Sequence, residues 1–212
     1  MSNTLSKKSD LPLKVGITGG IGSGKSLACS IFHIFGIPIF DADTSARNLY
    51  SAHDRVKEQM VHWFGPEVYL PTGEIDRGYL ASRIFNDVKA LEAVNQLIHP
   101  LVREAFTRWH QQQSGPYVLF ESALLFETGT WHNMDLTLLV TAPCELRIQR
   151  VMQRDRLPRE AVLARMHRQW EEEKKKELAA ITIINDEEHS LLEQILSTDQ
   201  KIKELWEISV NG

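Results

Sequence analysis

Five short apolar runs, separated by segments with helical spacing, dominate the pattern of hydrophobic and polar positions along the chain. Each run is rich in Val, Ile, Leu or Phe and is bounded by turn residues, as is typical of strands buried in a parallel sheet. The runs cover residues 13–18, 37–41, 117–121, 135–140 and 181–184. Apolar residues return at helical spacing between Leu27 and Phe35, and Gly36 supplies a stop signal. The pattern therefore predicts an α/β fold with a five-stranded parallel sheet.

The spacing between these predicted strands is uneven. Residues 44–115 follow the second strand and are far more chain than a crossover requires, so we interpret them as a helical insertion that binds a substrate. Residues 145–178 are strongly charged and helical, and we interpret them as a mobile lid. Within the lid, the run EEEKKKE at 171–177 predicts a solvated helix face. The core of this single domain is then left to residues 13–43, 116–144 and 179–212.

Composition limits the classes of protein to which the chain can belong. Apolar residues make up 42% and charged residues 25% of the sequence, close to the averages for globular proteins. No apolar stretch approaches the ~18 residues of a membrane span. The formal net charge of −4 argues against broad binding of nucleic acid. We therefore expect neither a membrane nor nucleic acid as a partner, and the sequence makes no prediction of oligomeric state.

The two cysteines, Cys29 and Cys144, are too few for a disulfide framework. They are also too far apart for the paired short spacings of a zinc site, so we interpret both as structural thiols in a reducing compartment. The residues before the first predicted strand lack the apolar stretch of a signal peptide. We therefore expect a cytoplasmic protein.

The stretch GITGGIGSGKS at residues 16–26 lies between the first predicted strand and the first predicted helix. Gly19, four further residues and then Gly24-Lys25-Ser26 form the spacing of a phosphate-binding loop. Glycines let the chain curl so that backbone N–H groups point at phosphate oxygens, and the following helix adds its positive end. Lys25 would reach the β- and γ-phosphates, and the Ser26 hydroxyl would join the coordination sphere of Mg²⁺. The motif thus predicts binding of a nucleotide with magnesium.

The loop does not by itself identify the reaction. The chain lacks the Asp-x-x-Gly and Asn-Lys-x-Asp elements of GTPase switches and the Asp-Phe-Gly element of protein kinases. The predicted strand at 117–121 ends on Glu121 with no second acid beside it, which argues against a mechanical ATPase. A kinase for a small molecule is the better candidate.

The sequence Asp41-Ala42-Asp43 follows the second predicted strand, so its carboxylates lie at the sheet edge that carries the phosphate-binding loop. A carboxylate at that edge can receive a proton or help to hold Mg²⁺. For Asp41 the alternative, a cap on a helix that begins near Thr44, is equally open. For Asp43 we favour a chemical role.

Arginines in the predicted lid suit phosphoryl transfer. Arg147, Arg150 and Arg154 fall on adjacent turns of one predicted helix, where closure would bring them to the negative charge of the transferring group. The alternative is a solvated helix whose arginines form ion pairs. His99 is followed by Pro100, which predicts extended geometry at His99 and the end of a helix there. From the residues alone, a turn histidine without a ligand is the simpler interpretation.

Five motifs, taken in their order and at their separations, closely resemble the dephospho-coenzyme A (dephospho-CoA) kinase family. They are GGIGSGKS at 19–26, DAD at 41–43, IHPLV at 98–102, LLFE at 124–127 and RVMQRD at 150–155. The similarity runs from about Leu13 to Glu193. The phosphate-binding loop is shared with many NTPases, whereas DAD, His-Pro and LLFE together are more particular.

The resemblance implies a P-loop kinase fold with three α/β/α layers. It also implies transfer of the γ-phosphate of ATP to the ribose 3′-hydroxyl of dephospho-CoA, which gives CoA and ADP in the last step of CoA biosynthesis. On the donor side, Arg150 and Arg154 would belong to the lid that closes over ATP, and Lys25 and Arg150 would assist the transfer. The loop residues that would contact ATP are Gly20, Gly22, Ser23, Gly24, Lys25, Ser26 and Leu27.

On the acceptor side, the resemblance implies that Asp43 is the base for the acceptor hydroxyl. It turns His99 from a plain turn residue into part of the dephospho-CoA site. Glu121 falls where the family often has an acidic residue, which implies a role near Mg²⁺ together with Ser26.

The sequence departs from the family pattern at three positions. Leu27 replaces the second hydroxyl residue after Gly-Lys-Ser/Thr, which removes a possible phosphate contact but leaves a backbone N–H. Ala123 stands where a proline commonly precedes Leu-Leu, and Ala180 stands where an aspartate commonly precedes the last strand. Two other functions remain open: a kinase for another nucleoside or nucleotide, and an ATP-sensing module that transfers no phosphate.

Overall fold

A five-stranded sheet forms the centre of the computed structural model, which describes residues 11–85 and 87–211. Its strands are β1 (Leu13–Gly19), β2 (Ile39–Asp41), β3 (Tyr117–Glu121), β4 (Leu136–Thr141) and β5 (Ile181–Ile184). They lie in the order β2-β3-β1-β4-β5, and β1 pairs in parallel with both β3 and β4. The α/β class and the five predicted strands are confirmed: β3 and β5 have the predicted ends, and the ends of the other three differ by at most two residues.

The strand order explains why the glycine-rich stretch is placed where it is. The chain leaves β1 toward one edge of the sheet, through β2 and β3, and then passes to the other side of β1 for β4 and β5. The carboxyl end of β1 therefore lies at a topological switch point, where α/β sheets bind their ligands.

Nine α-helices are assigned within the described residues. The first five are α1 (Lys25–Ile34), α2 (Ala42–Ala52), α3 (Asp54–Phe64), α4 (Arg77–Ile84) and α5 (Val88–His110). The other four are α6 (Cys144–Asp155), α7 (Arg159–Met166), α8 (Glu172–Leu178) and α9 (Leu191–Asn211). The predicted lid segment thus contains three short helices.

The core beside the phosphate-binding loop is built from one face of the sheet and two helices. Ile17 of β1 is fully buried in one cluster with Phe32 of α1 and Ile195 of α9. Burial of these side chains holds α1 and α9 against β1. This packing fixes both ends of the loop between β1 and α1. On the opposite face, a side chain at Gly16 would overlap Leu125.

The chain divides into two compact units. One is Asp41–Trp109, which contains α2 to α4, most of α5 and a short 3-10 helix at Pro66–Val68. The other contains the described residues up to Phe40 and from His110 onward. In sequence, the first unit spans most of the segment 44–115 that we predicted as an insertion.

The prediction that Pro100 ends a helix at His99 is wrong, because α5 continues through both residues to His110. Proline inside a helix removes one backbone hydrogen bond and crowds the preceding turn. Burial outweighs that cost here: Val94, Ile98 and Val102 recur at four-residue spacing and are almost fully buried. Burying such side chains stabilises a helix by roughly 1.5–3 kcal/mol each, so the apolar stripe overrides the local preference of the proline.

The two cysteines differ in environment. Neither is in a disulfide, but Cys29 is buried in the core cluster that contains Ile17, whereas Cys144 is exposed at the start of α6. The interpretation of Cys144 as a structural thiol is therefore wrong, because a side chain at the exposed first position of a helix packs against little. Among the described residues, no helix combines the length and the apolar character that crossing a membrane requires.

Candidate active site

The phosphate-binding loop joins β1, which ends at Gly19, to α1, which begins at Lys25. Two of its glycines adopt positive φ angles, 80° at Gly22 and 87° at Gly24, which other L-residues rarely tolerate. The Ser23 N–H donates to the Gly20 carbonyl at 3.0 Å and closes the turn. The chain curls as the sequence motif predicts.

The glycines also leave room for side chains from later in the chain. A Cβ atom at Gly20 would overlap the Arg147 guanidinium, and one at Gly22 would overlap the Arg147 carbonyl. A Cβ at Gly24 would overlap the amide of Asn185. The absence of side chains in this loop therefore serves packing against α6 and the end of β5 as well as access for phosphates.

Lys25 forms an ion pair with Glu121, with 2.9 Å between Nζ and Oε1. Glu121 is the last residue of β3, which lies next to β1, so the two strands bring the pair together. Both side chains are largely buried. The predicted position of Glu121 beside the loop agrees with this geometry, and its role near magnesium stays a prediction.

Oxygen ligands suited to Mg²⁺ lie at the start of α1 and the end of β3. Ser26 is exposed in the first turn of α1, and Glu121 contributes a carboxylate beside Lys25. Hydroxyl and carboxylate oxygens are the hard ligands that Mg²⁺ prefers, and kinases hold it with few protein ligands plus substrate phosphates. In the described part of the chain, no group of three or more His, Cys, Asp or Glu side chains is placed to hold a metal ion.

A cleft of about 400 Å³ lies against the loop. It brings together most of the residues predicted to bind ATP, with two arginines of α6 and one of α7. Its walls include residues 19–26, Ala123, Arg150, Arg154, Arg165 and Gln169. Leu27 does not line this cleft and is 55% exposed on α1. The cleft thus brings together the loop, Arg150 and Arg154, and their contact with ATP stays a prediction.

The arginines of the cleft are held by specific partners. Arg150 donates from Nη1 to the Asn185 carbonyl at 3.0 Å, which holds its guanidinium beside the end of β5. Arg154 donates to both carboxylate oxygens of Asp155, and Arg165 donates to the same carboxylate at 2.9 Å. The hydrogen bond from Arg154 lowers the pKa of Asp155, so the carboxylate stays ionised. One carboxylate thus holds two guanidinium groups, one from α6 and one from α7, near the cleft.

Arg147 differs from the other two predicted lid arginines because its side chain is turned into the protein. It is 7% exposed, donates from Nε to the Ile21 carbonyl at 3.0 Å, and pairs with Glu172 of α8. Burial lowers the pKa of its guanidinium. Arg147 therefore neither faces the cleft as a phosphate-binding group nor lies on a solvated helix face. Its side chain instead supports the loop through the Ile21 carbonyl.

The run EEEKKKE is not wholly a solvated helix face, because Lys175 is almost fully buried. Its Nζ lies 2.7 Å from Oε1 of Glu127, the acid of the LLFE motif. The same oxygen of Glu127 accepts a hydrogen bond from the Trp170 N–H at 2.9 Å. Residues 170–175 are therefore attached to the segment after β3, and the expectation of full solvation is wrong at Lys175.

The DAD sequence lies in the other compact unit, at the end of β2 and the start of α2. Asp41 caps α2: its carboxylate accepts from the Thr44 N–H at 2.8 Å and from the Thr44 hydroxyl. The capping alternative is thus the one realised for Asp41. Asp43 lies in the first turn of α2, and its carbonyl accepts from Arg47 Nε at 3.2 Å. Arg47 also donates to the Thr44 hydroxyl, so this turn is tied together.

His99 lies in the same unit as Asp43, in the middle of α5. Its side chain is half-buried, and burial, followed by the positive charge of the neighbouring Arg103, lowers the pKa of the imidazole from its ordinary value. The imidazole is therefore neutral at physiological pH. A neutral ring can both donate and accept a hydrogen bond, which suits contact with a polar substrate.

Two residues that the sequence did not suggest hold the loop. Asn185, buried just after β5, donates to the Ser23 carbonyl at 2.8 Å. Gln169, between α7 and α8, accepts from the Ile21 N–H at 2.8 Å and donates to the Ala123 carbonyl at 3.1 Å. For Asn185, the sequence signal was a polar residue directly after an apolar strand. Gln169 carries no local signal, since its partner is 148 positions away.

Two departures from the family pattern fall at ordered backbone positions. The carbonyl of Ala123 accepts from Gln169, and the Ala180 N–H donates to the Thr137 carbonyl at 3.0 Å. Both bonds are made by backbone groups, so neither depends on the alanine side chain.

Comparison with known proteins identifies relatives over most of the chain. The family model CoaE, described as dephospho-CoA kinase, matches residues 13–190. The dephospho-CoA kinase of Bacteroides fragilis is 34% identical over 187 residues, which cover 88% of this chain and 91% of that protein. That of Chlorobium chlorochromatii is 39% identical over 186 residues, covering 84% and 88%. The crystal structure of TT1252 from Thermus thermophilus superposes with a TM-score of 0.82 at 36% identity, covering 90% of this chain and 97% of that one.

Proposed function

The chain belongs to the dephospho-CoA kinase family, and on this premise we propose how its residues carry out the reaction. The protein is an ATP-dependent kinase of the P-loop fold that makes CoA and ADP from dephospho-CoA and ATP, the last step of CoA biosynthesis. The observation that carries this function is the family match over residues 13–190.

We propose that the ATP phosphates lie in the cleft against the loop. The N–H groups of the loop and the amino end of α1 favour negative charge there. Lys25 has three donors, so its ammonium can keep Glu121 and still donate to phosphate oxygens. The loop residues whose backbone would contact the phosphates are Gly20, Gly22, Ser23, Gly24 and Ser26. Leu27 would contribute at most its backbone N–H.

Mg²⁺ would be held by the Ser26 hydroxyl and the Glu121 carboxylate together with phosphate oxygens. When bound, it supplies positive charge that offsets the charge of the transferring phosphoryl group. The support for this role is chemical, because both side chains offer hard oxygen ligands and Glu121 lies beside Lys25.

For the acceptor, we propose that Asp43 receives the proton of the ribose 3′-hydroxyl as that oxygen attacks the γ-phosphorus and ADP departs. The bonds among Asp41, Thr44 and Arg47 brace the helical turn that carries Asp43. A base held on a fixed turn loses little freedom when the substrate binds. His99 would contact dephospho-CoA in its neutral form.

Arg150 and Arg154 would neutralise the phosphoryl oxygens in the transition state. We propose a lid narrower than 145–178, consisting of α7 and its flanks at residues 156–168. Arg156, with a φ of 53°, has the left-handed conformation that ends α6. Residues 169–178 are fastened by Gln169, Trp170 and Lys175, whereas the ion pair that joins α7 to α6, Arg165 with Asp155, is partly exposed.

One experiment tests the function directly. The protein is mixed with Mg²⁺-ATP and dephospho-CoA, and mass spectrometry is used to look for a product heavier by one phosphate. Formation of CoA with release of ADP is expected, and no product under conditions where ATP binds would contradict the function. Adenosine and other nucleosides serve as control acceptors. We further propose that the enzyme works in the cytoplasm, where thiols outside disulfides, such as that of Cys29, persist in reduced form.

A further inference from the structure

Both backbone polar groups of Ile21, in the phosphate-binding loop, are bound by side chains from beyond β4. Its N–H donates to Oε1 of Gln169 at 2.8 Å. Its carbonyl accepts from Nε of Arg147 at 3.0 Å. These bonds fix the orientation of the chain immediately before Gly22, whose φ of 80° aims the following N–H groups.

Gln169 is itself held at its other end. Its Nε2 donates to the Ala123 carbonyl at 3.1 Å, in the segment after β3. The next residue, Trp170, is fastened through its N–H to Glu127, and Glu127 also pairs with the buried Lys175. The amide of Gln169 therefore bridges two loops from a fixed backbone, and it does not hang freely into the cleft.

Gln169 and Arg147 differ in what else they do. Arg147 is buried, pairs with Glu172 and packs against Gly20 and Gly22, so its loss would disturb the fold broadly. Gln169 is half-buried and lines the ATP cleft, and its side chain bonds only to backbone groups of two loops. Gln169 is therefore the residue whose removal would affect loop geometry with the least effect on the core.

We propose that Gln169 is a positioning residue for ATP binding, which acts by holding the Ile21 N–H and thereby keeping the phosphate-binding loop in its binding conformation. This inference rests on the proposed function of the loop as the ATP site. Without the amide, Ile21 can rotate toward water, and the loop spends less time with its N–H groups converging. Apparent affinity falls in proportion to the fraction of loops in the competent state.

The expected kinetic signature is selective. Replacing Gln169 by Met keeps length and apolar stem but removes both hydrogen bonds, and one such bond is worth about a fivefold to tenfold change in an equilibrium. The KM for ATP should rise about fivefold to tenfold, while kcat stays within about twofold and the KM for dephospho-CoA is unchanged. The matched control is Gln149→Met, because Gln149 is exposed on α6 and outside the residues that line the cleft.

Hydrogen exchange in the ligand-free protein tests the same inference without any activity. Gln169→Met should speed exchange in residues 20–24 relative to the wild type and Gln149→Met. Gln169→Glu keeps an acceptor for the Ile21 N–H but loses the donor to the Ala123 carbonyl, which a carboxylate oxygen would repel, so exchange in the loop should lie between the wild-type level and that of Gln169→Met.

Unchanged loop exchange in Gln169→Met, or equal rises in the KM of both substrates, would overturn the proposal. Should Gln169→Met fail to fold, Gln169→Ala, which also removes both hydrogen bonds, takes its place: faster loop exchange than in the wild type would support the proposal, and wild-type exchange would overturn it. If the wild type proves unable to phosphorylate dephospho-CoA, the exchange comparison still decides the role of Gln169, so the two failures are distinguishable.

Discussion

The ammonium of Lys25 lies 2.9 Å from the carboxylate of Glu121 and joins the phosphate-binding loop to the end of β3. The two side chains are only 13% and 14% exposed. A pair shielded to this degree is screened little by salt, and removal of either partner leaves the other charge poorly solvated. The loop therefore presents its lysine already oriented by a carboxylate that is itself suited to magnesium.

Glu121→Gln tests the proposed magnesium role. The amide keeps an oxygen acceptor for Lys25 but removes the negative charge, so the Mg²⁺ concentration at half-maximal turnover should rise. Turnover is measured against Mg²⁺ concentration at saturating ATP, with Glu207→Gln on the exposed face of α9 as the control. A magnesium curve that coincides with that of the control would contradict the role.

Asp43→Asn and Lys25→Ala should fail differently. The first keeps shape but removes basicity, so turnover should fall by roughly 10²–10⁴-fold with little change in ATP affinity. The second removes a cation that touches the phosphates, so ATP binding and turnover should both suffer. Steady-state kinetics with direct ATP-binding measurements separates them. If Asp43→Asn instead raises the magnesium requirement, Asp43 acts as a metal ligand.

His99→Ala should weaken the use of dephospho-CoA while leaving ATP affinity nearly intact. Because burial and Arg103 lower the pKa of His99, the imidazole is already neutral at about pH 7, and the loss is one of contact and not of charge. The KM for dephospho-CoA should therefore rise by the same factor at about pH 7 and pH 8. Equal losses in the affinities for both substrates would count against the acceptor assignment.

Gly24→Ala and Gly36→Ala form a matched pair. Both glycines have positive φ, 87° and 81°, so each substitution strains the backbone by about 1–2 kcal/mol. A Cβ at Gly36 meets no atom within 4 Å, whereas one at Gly24 overlaps Asn185. Chemical denaturation should show a larger loss of unfolding free energy for Gly24→Ala, and only that variant should lose ATP affinity. Equal losses would refute the packing role of Gly24.

The narrower lid is tested by hydrogen exchange. Residues 156–168 should exchange quickly in the free protein and slow down when a non-hydrolysable ATP analogue binds. Residues 170–178 should be protected in both states, because Glu127 holds Trp170 and Lys175. Exchange that is unaffected by the analogue would rule out a closing lid, and slowing that extends through 178 would favour the wider one.

Local patterns were enough to predict the sheet and the phosphate-binding loop. Buried parallel strands can be recognised in a sequence as short apolar runs. The loop has positive φ angles at Gly22 and Gly24, and glycine is the residue that adopts such angles most readily. The cap at Asp41 was likewise one of two interpretations open from the sequence. In each case the sequence signal lies within a few residues, although the strands pair and the loop is held across long separations in the chain.

The failures involve interactions with distant parts of the chain. Pro100 predicts the end of a helix, but burial of Ile98 and Val102 keeps α5 intact. Lys175 reads as solvated within its charged run, yet Glu127, 48 positions earlier, draws it inside. Gln169 cannot be selected from sequence because neither of its bonded loops is near it in the chain.

The order in which the loop and its supports emerge during synthesis follows from these long separations. The glycine motif is complete at Ser26, but its conformation depends on Arg147, Gln169 and Asn185. Because these three residues lie far along the chain, most of the protein has been synthesised before the loop can form all of these hydrogen bonds. Chains emerge at about 5–20 residues per second, so the supports appear well after the glycine motif. A chain that ends before Asn185 lacks at least one of these hydrogen bonds, so the full set of supports for the loop is a late product of synthesis.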